Sequence, residues 1–238
     1  MFLSHILPFV TAIAIIAAAS ALQAATGMGL ALFAAPLLVL VNPALVPGPM
    51  LCCVVALSIA VAWRERLAID PRLLGRSLLG LLLGCCIGAV ILLVVDRMQL
   101  RSLFAMLILG MVLLSASGLP VRPSRPALLI GGMASGVVGT MFGVHGPPIA
   151  LVLQHEPPDR LRATLCAFFA AGCTVSLIVL AAIGAFATSG VGLGLALMPG
   201  VAIGFALAPP LARRIDRRGA RIAVLVISAL SALALLLR

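Results

Sequence analysis

The stretch TGMGLALFAAPLLVLVN, from Thr26 to Asn42, recurs in kind as GTMFGVHGPPIALVLQ, from Gly139 to Gln154. Each passes from glycines through proline into a short apolar run. A shift of 112 positions lays Gly27 on Gly139, Pro36 on Pro148 and Asn42 on Gln154. Leu30–Val41 as a helix is about 18 Å long at roughly 1.5 Å per residue. A bilayer core is ~30 Å thick, so this run cannot span it. Pro148–Gln154 is shorter still. Each is therefore expected to be a re-entrant half-helix folded against the helix before it. Matching breaks in two halves of a membrane chain point to a substrate site between them.

The surrounding composition requires a membrane. Apolar residues make up 63% of the 238-residue chain and charged residues 9%. Ile6–Ala25, Ser77–Val95, Ser102–Leu119 and Ile222–Leu237 carry no charge, and neither does Ala163–Ala212. About 20 apolar residues cross a bilayer core. The expected fold is an all-α polytopic membrane protein in one transmembrane domain, 1–238, with the lipid bilayer as its solvent. The six cysteines lie in apolar runs without zinc-like spacing, and read as small packing residues. FVTAIAIIAAASALQA has the apolar core of a signal peptide, but only His5 precedes it, so it reads as a retained helix. The net charge of +10 comes from arginines in short loops. That is a topology signal. A nucleic-acid partner would need a basic groove interleaved with aromatics, and the one Trp, the absent Tyr and the Phe residues of the apolar spans do not supply it.

Ten apolar segments follow, five per half. The first half holds Ile6–Ala25, Leu30–Val41, Gly48–Trp63, Ser77–Val95 and Ser102–Leu119. The second holds Ala127–Phe142, Pro148–Gln154, Ala163–Phe186, Val191–Ala212 and Ile222–Leu237. A later part of the repeat aligns at a shift of 120, laying Gly80 on Gly200, Gly84 on Gly204, Asp96 on Asp216 and Arg97 on Arg217. Two internal repeats, 1–119 and 120–238, are expected, with about 8 full spans plus half-helices. Loop arginines set their orientation. Arg64, Arg66, Arg72 and Arg76 have no counterpart around Thr188–Gly190, while Arg160 and Arg162 have none in Asn42–Pro47. Placing the arginine-rich loops in the cytoplasm inverts the halves and puts both termini outside. Gly80, Gly84 and Gly88, like Gly200, Gly204 and Ala208, recur every four residues. Such ridges let helix backbones approach closely in lipid.

The breaks supply the candidate chemistry. An interrupted helix leaves backbone N–H groups unbonded, and the next half-helix begins with partial positive charge. Together these form an anion site without a buried cation. Gly27, Gly29, Gly143 and Gly146 allow close backbone approach. Pro36 marks the first half-helix, and Pro147 and Pro148 suit the start of the second. Gln23 and Thr26 flank the first break; Ser135, Thr140 and His145 flank the second. The hydroxyls of Ser135 and Thr140 either face a ligand or bond back to their own helix. Asn42 and Gln154 read as caps near the interface. His145 is an ionisable side chain placed well inside the membrane, which makes it a candidate for proton coupling or for a switchable hydrogen bond. Packing of a neutral ring against a backbone carbonyl is the competing reading.

GMGLALFAAPLLVL and GVHGPPIALVL carry a resemblance. The chain resembles the sulfite exporter TauE/SafE-type family of bacterial membrane permeases over nearly its whole length. Gly27, Gly29 and Pro36 match the family's Gly-rich stretch leading to Pro-Leu-Leu. Gly143, Gly146, Pro147 and Pro148 match its Gly-Pro-Pro. His145 departs from the small residue expected there. The resemblance implies a bacterial inner-membrane transporter for sulfite, organic sulfonates or related carboxylates, driven by the proton gradient.

Other function classes fit less well. No nucleotide-binding motif is present, and no cofactor is called for. An intramembrane hydrolase could use His145 as base with Ser135 or Thr140 as nucleophile. There is no Gly-x-Ser-x-Gly, no His-Glu-x-x-His and no acid in the spans to complete it. An accessory subunit has no use for two broken helices. The expected function is secondary transport of a small anion, with substrate identity, direction and oligomeric state left open.

Overall fold

The computed structural model describes residues 2–27, 29–95, 97–117, 119, 121–186, 188–214 and 217–236. These residues form α-helices joined by short turns, with no strand among them. The first half contains α1 (Phe2–Thr26), α2 (Leu30–Val41), α3 (Gly48–Arg64), α4 (Pro71–Val94) and α5 (Arg97–Ala116). The second contains α6 (Arg125–Phe142), α7 (Gly146–Leu153), α8 (Pro158–Ala182), α9 (Thr188–Ala196), α10 (Met198–Arg214) and α11 (Arg217–Leu236). Among the described residues, four stretches are long and apolar enough to cross a membrane: Leu7–Thr26, Pro71–Val94, Pro158–Ala182 and Ser189–Pro209. Leu30–Val41, Gly48–Arg64, Ser102–Ala116 and Val224–Ala234 are shorter apolar helices.

Local chemistry explains where helices start. Asp70 caps α4, its carboxylate accepting from the N–H groups of Arg72 and Leu73 at 2.9 and 3.1 Å. Ser124 caps α6 by accepting from Ala127 N–H at 3.3 Å. Pro71 and Pro158 occupy first helical positions, where a missing N–H costs nothing. Several helices therefore extend past their apolar cores into the arginine-bearing segments. Arg160 and Arg162 lie in the first turns of α8 and not in a loop.

Two expectations need correction. Thr188–Gly190 is the first turn of α9; the reversal before it includes Gly184, in the left-handed region at φ 71°. Val191–Ala212 is not one helix but is interrupted at Leu197. Pro199 is the cause, since it cannot donate to the preceding turn and sits instead at the start of α10. The aligned pair Asp96 and Asp216 lies outside the described residues.

Packing crosses between the halves. α4 lies along α6 and α1 along α10; α3 packs on α8 and α5 on α11. The small-residue ridges make the first two contacts. Gly80, Gly84 and Gly88 face the backbone at Leu129, Met133 and Val137, so α4 and α6 run parallel. Gly132 and Gly136 return the contact toward Ser77 and Leu81. Gly200 and Gly204 face Ile13 and Ala17, so α10 and α1 are also parallel. In lipid such packing replaces the hydrophobic drive. Each short helix then rests on its own long partner, α2 on α1 and α7 on α6, and reaches a helix of the other half: α2 touches α11. α7 also touches α5.

A candidate substrate site between the two breaks

Both breaks form as hairpins. Gly27 and Gly29 hold φ values of 91° and 123°, which L side chains rarely adopt, and they turn the chain from α1 into α2. Gly143 ends α6 in the left-handed conformation at φ 78°, its N–H bonding to Gly139 C=O at 2.8 Å. α2 covers the expected Leu30–Val41. α7 begins at Gly146, two residues before the expected Pro148, with Pro147 and Pro148 inside its first turn.

A cavity of about 370 Å³ lies between the hairpins. Gln23, Thr26, Gly29, Gly143, His145, Gly146 and Pro147 all line it. Four other expected residues do not. Gly27 packs against the backbone of Arg162, where a Cβ would come within 2.8 Å of Arg162 Cα. Pro36 and Pro148 are buried in their helices, and Thr140 is buried behind His145. The cavity has a deep end and a mouth. Gly143, His145, Cys173 and Val54 are buried, while Gln154, Leu161, Thr26 and Ser115 are half-buried.

The donors differ at the two breaks. The first turn of α2 presents the N–H groups of Leu30, Ala31 and Leu32, since Phe33 N–H is the first to bond back, to Gly29 C=O at 2.9 Å. The α7 end presents fewer. Pro147 and Pro148 have no N–H, and Ile149 N–H donates to Ser135 Oγ at 3.2 Å. Gly146 is therefore the one first-turn residue of α7 with a backbone donor to spare. Ser135 neither bonds back to its own helix nor reaches His145. Its hydroxyl finishes the turn of the partner limb.

Each side chain at the first break makes a hydrogen bond within the fold. Gln23 Nε2 donates to Ser58 Oγ of α3 at 3.0 Å. Thr26 Oγ1 donates back to Leu22 C=O at 2.8 Å. Asn42 caps the short turn after α2, accepting from Ala44 N–H at 3.0 Å, and Gln154 Nε2 donates to Leu119 C=O at 2.6 Å. Asn42 thus acts as a cap, whereas Gln154 ties the end of α7 to the segment after α5 and also lines the cavity.

His145 is 2% exposed and sits in a niche made by two glycines. A Cβ at Gly139 of α6 would overlap its ring, and one at Gly172 of α8 would come within 3.2 Å of Cδ2. Nε2 lies 3.0 Å from Ser176 Oγ and Nδ1 lies 3.5 Å from Cys173 Sγ. Ser176 continues to Thr140 Oγ1 at 2.9 Å and to Cys85 Sγ at 3.6 Å. This chain of exchangeable protons joins α6, α8 and α4 at the cavity wall. The His145–Ser176 distance suits a nucleophile and its base, but Ser176 does not line the cavity, and among the described residues the ring's side-chain partners are Ser176 and Cys173.

An ion-pair cluster closes the arginine-bearing face beside the first break. Arg162 Nε donates to Glu65 Oε2 at 2.6 Å and Arg64 Nη2 to Glu65 Oε1 at 2.9 Å. Arg162 also reaches Asp159 at 3.1 Å, and Arg64 reaches Ala24 C=O at 3.3 Å. That last bond places a cation on the carboxyl end of α1, where the helix dipole is negative.

The family model for Sulfite exporter TauE/SafE matches residues 12–235. The chain belongs to this family. It is thus a multi-pass membrane protein of a transporter family, and both breaks of this TauE/SafE member fall within the matched region. No curated protein and no solved structure matches the chain. Among the residues that sequence reasoning missed at the candidate site, Ser58 and Val54 come from α3 and Phe169, Cys173 and Ser176 from α8, while Ser115 of α5 and Val224 and Leu225 of α11 also line the cavity.

Proposed function

We propose that this TauE/SafE protein is a secondary transporter of a small anion such as sulfite, an organosulfonate or a related carboxylate. One observation carries the reading: the N-terminal ends of both half-helices line a single cavity. Backbone N–H groups and helix dipoles there offer an anion partial positive charge at low dielectric. Residues 1–119 and 120–238 act as two inverted repeats. The reciprocal, parallel packing of α1 with α10 and of α6 with α4 supports this. Alternating access follows from moving the bundle of α1, α2, α10 and α11 against that of α4 to α7, with the α3–α8 pair between them. Each bundle draws on both halves of the chain.

His145 is the coupling residue of this proposal, since its ring joins the cavity to the Ser176–Thr140 hydroxyls and can take up a proton as the anion binds. The protein resides in the bacterial plasma membrane, with the arginine-bearing loops in the cytoplasm and both termini outside. Flux of radiolabelled sulfite, sulfonates and carboxylates into proteoliposomes, under an imposed pH gradient, tests the reading. Anion uptake that accelerates with the gradient supports it. Equal leakage with and without the protein rejects it.

A further inference from the structure

The arginine-bearing face holds more positive charge than its own carboxylates neutralise. Glu65 pairs with Arg64 and Arg162, Asp159 with Arg162, and Glu156 and Asp70 with Arg160 at 3.3 and 4.0 Å. Arg66 stacks on Trp63, its Cζ 5.1 Å from the ring centroid. Arg72 and Arg76 of α4, and Arg122 and Arg125 at the start of α6, have no side-chain partner among the described residues. Arg72, Arg122 and Arg125 are exposed, and Arg76 is half-buried.

Helix geometry gathers these four. Gly80 meets the backbone at Leu129 in the parallel α4–α6 pair. One turn back along both helices lie Arg76 and Arg125, with Arg72 and Arg122 beyond them. At about 100° per residue, Arg72, Arg76, Leu79, Leu83, Val90 and Val94 fall within roughly 60° of the α4 circumference. Leu79, Leu83, Val90 and Val94 are all exposed, so the stripe faces lipid along the helix, and Ile130 continues it on α6. Asp70 already takes the N–H groups of Arg72 and Leu73, so the guanidinium groups carry the positive charge here. Gly75 leaves room beside Arg72, with nothing within 4 Å of a virtual Cβ. Topology alone places arginines on a face. It does not call for four unpaired ones above a single lipid-facing stripe.

We propose that the α4–α6 ridge binds an anionic phospholipid. Its phosphate sits between Arg76 and Arg125, with Arg72 and Arg122 around it, and its acyl chains lie along Leu79, Leu83 and Val90. Arginine forks match phosphate oxygens bidentately. Each basic side chain at the membrane surface attracts an anionic headgroup, and the ammonium of a zwitterionic headgroup cancels that attraction. The site lies on the lipid-facing surface and is independent of what the cavity between the hairpins carries.

Native mass spectrometry of the detergent-solubilised protein tests this, with cardiolipin, phosphatidylglycerol and phosphatidylethanolamine added in turn. The two anionic lipids are expected to bind at least about tenfold more tightly than phosphatidylethanolamine. Arg76→Gln combined with Arg125→Gln should remove about tenfold of that preference, and Arg66→Gln should leave it unchanged. If the double variant does not reach the membrane, Gly75→Glu gives the same reading, since it puts a carboxylate in open space at i,i−3 from Arg72. Equal retention of the three lipids overturns the site, as does full anionic preference in the double variant or in Gly75→Glu. Displacement of bound lipid by inorganic phosphate also overturns it, because the four arginines would then hold a free oxyanion.

Discussion

At residue scale, two of the break glycines, Gly27 and Gly146, differ in what surrounds them. Gly27 is packed on Arg162, so a side chain there damages the fold. Gly146 has only Phe169 within 4 Å of its virtual Cβ, so a side chain there enters the cavity. Gly146→Leu is therefore expected to abolish flux while the protein reaches the membrane with normal yield. Measured transport near the wild-type rate in that variant is incompatible with the site. His145 is held by Ser176 and Cys173 in a niche that Gly139 and Gly172 leave open. Glutamine can keep a hydrogen bond to Ser176 but cannot carry a proton at neutral pH. His145→Gln is expected to flatten the pH dependence of uptake while substrate binding persists. A pH profile parallel to the wild type assigns His145 to packing alone. The niche was not legible in the sequence. Gly172 lies 27 positions beyond His145, on a separate helix, and nothing local connects them. Ser176 was equally hidden, because a serine in a lipid-embedded helix most often bonds its own backbone, as Thr174 does to Ala170 C=O at 2.7 Å on the same helix.

At element scale, the hairpins and the glycine ridges were legible because their causes are local. A glycine at positive φ and a proline in a first turn act on the chain within a few residues. The Leu197 interruption had the same signal in Pro199, masked by the apolar residues on both sides. The partner of each ridge was not legible, because a four-residue spacing names a helix face without naming what covers it. The structure pairs α4 with α6 so closely that a Cβ on Gly84 would overlap Met133 C=O. A larger side chain must separate two backbones, an overpacking cost of about 1–3 kcal/mol or more. Gly84→Leu is expected to lower the thermal stability of the detergent-solubilised protein and its membrane yield. Gly75 and Gly110 have nothing within 4 Å of a virtual Cβ. Alanine at either should match or slightly exceed wild-type stability, since alanine favours helix by about 1 kcal/mol. Equal melting of Gly84→Leu and Gly110→Ala would falsify the assigned ridge contact.

At the scale of the whole molecule, the loops test the inverted arrangement. The turn between α3 and α4 meets the start of α8. Glu65 pairs with Arg162, Arg160 comes within 4.0 Å of Asp70, and Asp70 N–H donates to Thr164 Oγ1 at 3.1 Å. The first turn comes from the first half and the start of α8 from the second, so segments at non-equivalent places in the repeats share one face. The Asn42–Pro47 turn lies at the other end of α3, beside Gly143 and α9. The proposed topology sends the first of these faces to the cytoplasm. Leu67 is 96% exposed, and the Arg160 side chain is half exposed. Ala44 is exposed in the opposite turn. In a variant lacking the six native cysteines, Leu67→Cys and Arg160→Cys should react with a membrane-impermeant maleimide only in inverted vesicles. Ala44→Cys should react only in intact spheroplasts. Labelling of Leu67→Cys and Arg160→Cys from opposite sides contradicts the ion-paired face itself. Labelling of both from outside preserves that face and reverses the topology. The cavity adds a second reading of the same reagents. Its half-buried mouth at Gln154 and Leu161 belongs to the ion-paired face, and its buried end at Gly143 belongs to the other. Cys173 should therefore be reached by a small thiol reagent from the cytoplasmic side, and a bound anion should protect it. Access from outside that grows with substrate would mark the alternate state, in which the two bundles have exchanged which face they close.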